Sequence, residues 1–148
     1  DMGIYPVFLA YLLFGKPGEI QATSILHDNG VDLQTIINFK YDQAVAQLMS
    51  GFRSTSDRIA KVYGTDGRIF INSPWHNASA YILENENDSV KFSVPKKGHG
   101  YVHEIEECLK CISSKRIQSD LWSHQNSLEL IKLLDEIRDQ AGIEYAFE

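Results

Sequence analysis

From Ile4 to Phe14 hardly a polar side chain interrupts the chain: Val7, Phe8, Leu9, Ala10, Leu12, Leu13 and Phe14 follow one another. Such a run predicts a first helix that is apolar on nearly every side and therefore buried. Pro6 fits its first turn, where backbone amides have no partner inside the helix, and Asp1 or Gly3 is placed to cap it. Gly15 and Pro17 stop it. After them the period changes to two. Val31, Leu33, Ile37, Phe39 and Tyr41 alternate with Asp32, Gln34, Asn38 and Lys40, the pattern of a half-buried strand. Strands are also expected over 20–26, 44–52, 58–63, 68–72, 78–83 and 89–94. The connections between them are tight: His27-Asp28-Asn29-Gly30, Gly64-Thr65-Asp66-Gly67 and Asn85-Glu86-Asn87-Asp88. Short connections make neighbouring strands antiparallel.

The helical period returns near the end. A helix over Tyr101 to Ser113 carries Val102, Ile105, Leu109 and Ile112 on one face, and Cys108 extends that face. A last helix begins at a Ser123 cap, carries Leu128, Ile131, Leu134 and Ile137, and ends at Gly142. Helix, many strands, then helices is an α+β order, with an open, mainly antiparallel sheet and helices packed on one face. All 148 residues suit one domain. The chain opens on Asp1 with no initiator methionine and enters a helix at once, which is read as a cut edge.

Composition and charge narrow the function by exclusion. A formal net charge of −6 argues against a nucleic-acid track, which needs clustered Lys and Arg; Lys96-Lys97 is the nearest approach. The apolar run at the start is too short to span a bilayer, and no signal peptide is visible. Two cysteines, Cys108 and Cys111, do not form a disulfide framework, so a cytoplasmic setting is expected. Cys108 falls mid-helix, where a redox pair would want the helix N-terminus, and the pair is read as core. His27, His76, His99, His103 and His124 have no metal-motif spacing, and no metal site is expected. There is no Gly-x-Ser-x-Gly elbow, and Gly98-His99-Gly100 lacks the third glycine of a dinucleotide fingerprint.

Five short segments then carry a resemblance. They are Asp1-Met-Gly-Ile-Tyr5-Pro; Leu13-Phe14-Gly15-Lys16-Pro17; Val62-Tyr63-Gly64-Thr65-Asp66-Gly67-Arg68-Ile69; Gly100-Tyr101-Val102-His103-Glu104-Ile105; and the run from Ser127 to Arg138. In this order they resemble the C-terminal domain of the Gfo/Idh/MocA oxidoreductases. The resemblance implies a two-domain parent, in which an N-terminal Rossmann domain holds NAD or NADP and substrate lies between the domains. Only the second domain is matched, so residues 1–148 are read as a single substrate-binding and dimerisation domain, with no cofactor of its own. The implied reaction is oxidation or reduction of a secondary alcohol of a sugar, polyol or dihydrodiol by hydride transfer.

The resemblance also implies roles. Tyr5, the tyrosine of Asp-x-Gly-x-Tyr, would exchange the hydroxyl proton. A free phenol, with a pKa of about 10, is a poor base at neutral pH unless a nearby cation favours the phenolate. The family's lysine for that task belongs to the unmatched domain. Asp1 would orient substrate or cap the helix. Trp75, His76 and His99 fall where related enzymes line the substrate cleft, and Trp75 reads equally as a core or rim aromatic. On residue type alone Tyr5 reads as a buried helix aromatic with its hydroxyl satisfied. A homodimer is expected through the sheet face away from the helices, since Ile36, Val45 and Met49 alternate with the inward set. The rivals are a stand-alone binding or dimerisation module and a non-catalytic regulatory relative.

Overall fold

The computed structural model describes residues 2–98 and 100–145. The chain divides into two compact units, Asp1–Ser54 with Asp120–Glu148, and Thr55–Ser119.

The first unit contains α1 (Ile4–Phe14), the strands β1 (Glu19–Leu26), β2 (Asp32–Lys40) and β3 (Val45–Gly51), and the final helix, His124–Ala141. The strands form an antiparallel sheet in the order β1-β2-β3. The period of two decides its faces. Thr35, Ile37 and Phe39 of β2 turn inward and are buried. Across from them stand Ala22 and Leu48, paired with Ile37, and Ile20 and Ala46, paired with Phe39. These residues meet Val7, Ala10 and Tyr11 of α1 and Leu130, Leu133 and Ile137 of the final helix in one core. Thr35, polar and buried, is satisfied: its hydroxyl lies 2.7 Å from that of Ser24 and donates to Asp32 Oδ2 at 2.9 Å.

The second unit contains β4 (Ala60–Tyr63), β5 (Arg68–Ile71), a 3-10 turn (Trp75–Asn77), β6 (Ala80–Glu84), β7 (Ser89–Ser93) and α2 (Tyr101–Ser113). Its strands are an antiparallel meander, β4-β5-β6-β7. The tight turns foreseen close it: the Gly64 amide donates to Gly67 O at 2.8 Å, and the Asn85 amide to Asp88 O at 3.0 Å. Tyr81 and Phe92 stack across β6 and β7 at 4.9 Å. Among the described residues, every fully buried apolar side chain lies in the first unit.

We label the final helix, His124–Ala141, α3. Its ends are built as the sequence implies. Ser123 Oγ accepts the Asn126 amide, the Asn126 side chain returns a bond to the Ser123 amide, and Gly142 closes the helix in the left-handed region. The antiparallel α+β architecture stands, with its strands hydrogen-bonded as a group of three and a group of four.

Three helix faces depart from expectation. α1 is buried on one side only. α3 buries Leu130, Leu133 and Ile137, whereas Leu128 and Ile131 of the expected face are exposed. Ile137 of the expected face is buried and Leu134 packs against the core, so the buried face is turned toward Leu130 and Leu133 from the one expected. In α2, Ile105, Leu109, Ile112 and Cys108 are exposed rather than core. A helical period reveals a stripe but not which neighbour covers it.

Candidate active site

Helix α1 is held from beneath. Val7, Ala10 and Tyr11 sit on the sheet, and the Tyr11 ring meets Trp122 edge-on at 5.7 Å. The Tyr11 hydroxyl donates to Glu129 Oε2 and accepts from Asn126 Nδ2 at 3.2 Å. Gln125 Nε2 donates to the other Glu129 oxygen at 2.9 Å. The bond to Glu129 pushes the Tyr11 phenol above its ordinary range, opposed in part by Asn126. The Gln125 bond, then the Tyr11 bond, holds the Glu129 carboxyl below the usual carboxylate range. Asn126 therefore serves two tasks at once, completing the α3 cap and pinning α1 to α3. Sequence reading did not single out Tyr11, Asn126 or Glu129. The available signal was a hydroxyl on the same helical side as Val7 and Ala10, which burial obliges to find a partner.

Tyr5 lies on the opposite side of α1. It is 51% exposed, beside Phe8, Leu12 and Leu13, which are also exposed. The reading of Tyr5 as a buried packing aromatic is thereby corrected: the buried aromatic of this helix is Tyr11.

In the second unit, Trp75 and His76 form the 3-10 turn after a cis Ser73–Pro74 bond. The Trp75 amide donates to Arg58 O at 2.9 Å, which fixes the turn, and the Trp75 and His76 rings meet edge-on at 5.7 Å. Trp75 is half-buried and His76 exposed. The structure thus brings these two side by side in one unit, while Tyr5 belongs to the other. Asp1 and His99 lie outside the described residues.

A second polar cluster ties α2 to the segment that follows it. Glu107 Oε1 accepts from Ser119 Oγ at 2.7 Å, with Arg116 Nη2 at 3.6 Å and the Cys111 thiol at 3.6 Å. The Ser119 bond is the main reason the Glu107 carboxyl lies below its ordinary range; burial raises the Cys111 thiol.

Among the described residues no group of three or more His, Cys, Asp or Glu is placed to hold a metal, and no helix is long and apolar enough to cross a membrane. The described residues do not fit a dinucleotide either. A pyrophosphate is held at the carboxyl end of parallel strands, by glycines that let backbone approach it closely. Here every strand pair is antiparallel. A side chain added at Gly98 or Gly100 would meet nothing within 4 Å, and Glu104 stands in the first turn of α2.

Residues 1–70 match the family model described as GFO/IDH/MocA C-terminal domain. The chain is 29% identical over 145 residues to scyllo-inositol 2-dehydrogenase (NADP(+)) IolU of Bacillus subtilis, covering 98% of this chain and 44% of that protein. It is 27% identical to trans-1,2-dihydrobenzene-1,2-diol dehydrogenase of Danio rerio, covering 99% of this chain and 46% of that protein. The chain therefore spans less than half the length of these relatives. In fold it is similar to KijD10, a 3-ketoreductase from Actinomadura kijaniata solved with TDP-benzene and NADP, with a TM-score of 0.79, 22% identity, and coverage of 95% of this chain and 46% of that one.

Proposed function

We propose that the chain is a C-terminal domain of the Gfo/Idh/MocA oxidoreductase type, as its family-model match and its relatives support, and that it is the substrate side of a two-domain NAD(P)-dependent dehydrogenase acting on a secondary alcohol of a sugar, polyol or dihydrodiol. In this reading an N-terminal Rossmann domain binds the nicotinamide cofactor, which is NADP for IolU and KijD10, and residues 1–148 are inactive without it. The observation that carries the reading is Tyr5, exposed on the open side of α1 while Val7, Ala10 and Tyr11 anchor the other side.

The chemistry of this chain's own residues follows from proton balance. Oxidation of a secondary alcohol removes a hydride from carbon and a proton from oxygen. The nicotinamide, when bound, accepts the hydride; the proton passes to Tyr5 Oη as phenolate, and in the reverse direction the phenol returns it. Phenolate needs a cation nearby at neutral pH, and the other domain is the proposed source of it. Trp75 and His76, with Asp1 and His99, are proposed to contact substrate. Both cysteines are free thiols, which fits the cytoplasmic setting proposed for the protein. The outward face of the β1-β2-β3 sheet is proposed as the homodimer contact.

Tyr5→Phe in the full-length protein tests the assignment, with NAD and NADP against a panel of sugars, polyols and dihydrodiols. Loss of a general acid–base group costs roughly 10²–10⁴ in rate. The fall is expected in kcat, with KM little changed, as for an interaction made in the transition state. A Tyr5→Phe enzyme with near-native kcat removes Tyr5 from the chemistry.

A further inference from the structure

We propose that the outward stripe of α2, made by Tyr101, Ile105, Leu109 and Ile112 with Cys108 among them, is the seat on which the N-terminal half of the full-length polypeptide packs. The proposal rests on the two-domain reading above and names where that domain lands.

The stripe is a property of the sequence before it is one of the structure. Positions 101, 105, 108, 109 and 112 fall along one side of a helix, the spacing of a seam meant to be covered. In the structure this side faces out: Ile105 is 57% exposed, Leu109 60% and Ile112 73%. The helix is not free to roll the stripe inward. Glu107, bonded to Ser119 and Arg116, and Cys111, bonded to Glu107 and to Gln118 O, fasten an adjacent side of α2 to its own unit. A further ion pair, Lys97 to Glu106 at 3.5 Å, holds the start of the helix. A fixed, contiguous apolar patch of this kind marks an interface.

Length identifies the occupant. The chain aligns over nearly all of itself with 44–46% of its relatives, and the matching family model is that of a C-terminal domain. The relatives thus carry more chain again than is present here. A seam with no charge along it suits a domain packed in the same molecule better than an anionic or cationic partner. The surface proposed above for a second copy is a different one, on the β1-β2-β3 sheet of the other unit.

Cys108 is a native probe of the proposal. It sits in the stripe and is exposed, whereas Cys111 is half-buried, hydrogen-bonded and raised in pKa by burial. Maleimide labelling is followed at each thiol by peptide mass spectrometry, in the 148-residue chain and in the full-length protein. Cys108 is expected to label readily in the shorter chain and at least about tenfold more slowly in the full-length one, since a covered thiol waits for local opening. Cys111, slow in both, serves as the reference. Leu109→Glu should restore rapid Cys108 labelling in the full-length protein and expose the joint between its halves to limited proteolysis. Equal Cys108 rates in a full-length protein that oxidises alcohols with NADP overturn the seat and leave the two-domain reading standing. A full-length protein with neither NADP binding nor a second protease-resistant domain overturns that reading, and the seat with it. Cys108 that is slow in the 148-residue chain but quickens on dilution makes a second copy the occupant and overturns the proposal.

Discussion

A single hydroxyl shows how position, rather than residue type, assigns a role. Tyr5 and Tyr11 stand on the same helix, yet one is buried against Trp122 and bonded to Glu129, and the other is open. Their difference was not legible in the sequence, because α1 is apolar all round and has no direction until a sheet takes one of its sides. The Tyr11–Glu129 pair makes a prediction with a definite sign. The Glu129 carboxyl lies below its unfolded value, so the charged form is favoured in the folded state. Its contribution is present above the ordinary glutamate pKa of about 4.3 and is lost as pH falls through the lower, folded value. Glu129→Gln should be less stable than the parent at pH 7, and the gap should narrow on acidification. Denaturant unfolding at neutral pH and below pH 4 reads this directly; a gap that widens in acid would show that the carboxylate is not the stabilising form.

Elements were more legible than faces. Alternation over 31–41, broken only at Thr35 and Ile36, and the Asn-Gly, Gly-Thr-Asp-Gly and Asn-Glu-Asn-Asp turns locate β2 and the hairpins of both sheets, because strand period and turn chemistry are local properties. The Tyr101 and Ser113 ends of α2 agree with expectation for the same reason. The side each helix buries is a tertiary property. Leu128, Ile131, Leu134 and Ile137 were the expected face; Ile137 and Leu134 do reach the core, but Leu130 and Leu133 replace Leu128 and Ile131 in it. The α3 start is a local element whose worth can be measured. Ser123 Oγ accepts the Asn126 amide at 3.1 Å, and Asn126 also reaches Tyr11. Ser123→Ala should cost about 0.5–2 kcal/mol, the range for a lost N-cap. Because Asn126 links the cap to α1, the loss should be smaller when the same change is made in a Tyr11→Phe background. A double-mutant cycle measures the difference, and strict additivity would separate the cap from the α1 contact.

At the scale of the molecule, the distribution of apolar surface decides what the chain must meet. The inward face of β1-β2-β3 is filled by α1 and α3, but its outward face keeps Ile25, Ile36, Val45 and Met49 exposed. The face is graded rather than uniformly apolar. One cross-strand row is Thr23, Ile36 and Met49; the next is Gln21, Asn38 and Gln47; the last is Glu19, Lys40 and Val45. The Gln47 amide donates to Asn38 Oδ1 at 3.4 Å, and Lys40 pairs with Glu19 at 3.0 Å. Two copies related by a two-fold axis would present the same patch to each other, so an apolar row set beside amides and paired charges gives a self-complementary surface with a preferred register. A merely solvated face would need no Ile36 and Met49 at its centre. The prediction from this face is a homodimer at tens of micromolar that one charge at the apolar row disrupts. Ile36→Glu places two carboxylates near the axis, where they repel and lose water. Light scattering should report dimer for the parent and monomer for the variant. The circular dichroism of the two should match, because Ile36 faces away from the core. A parent that scatters as a monomer at that concentration would leave the outward face without the role assigned to it.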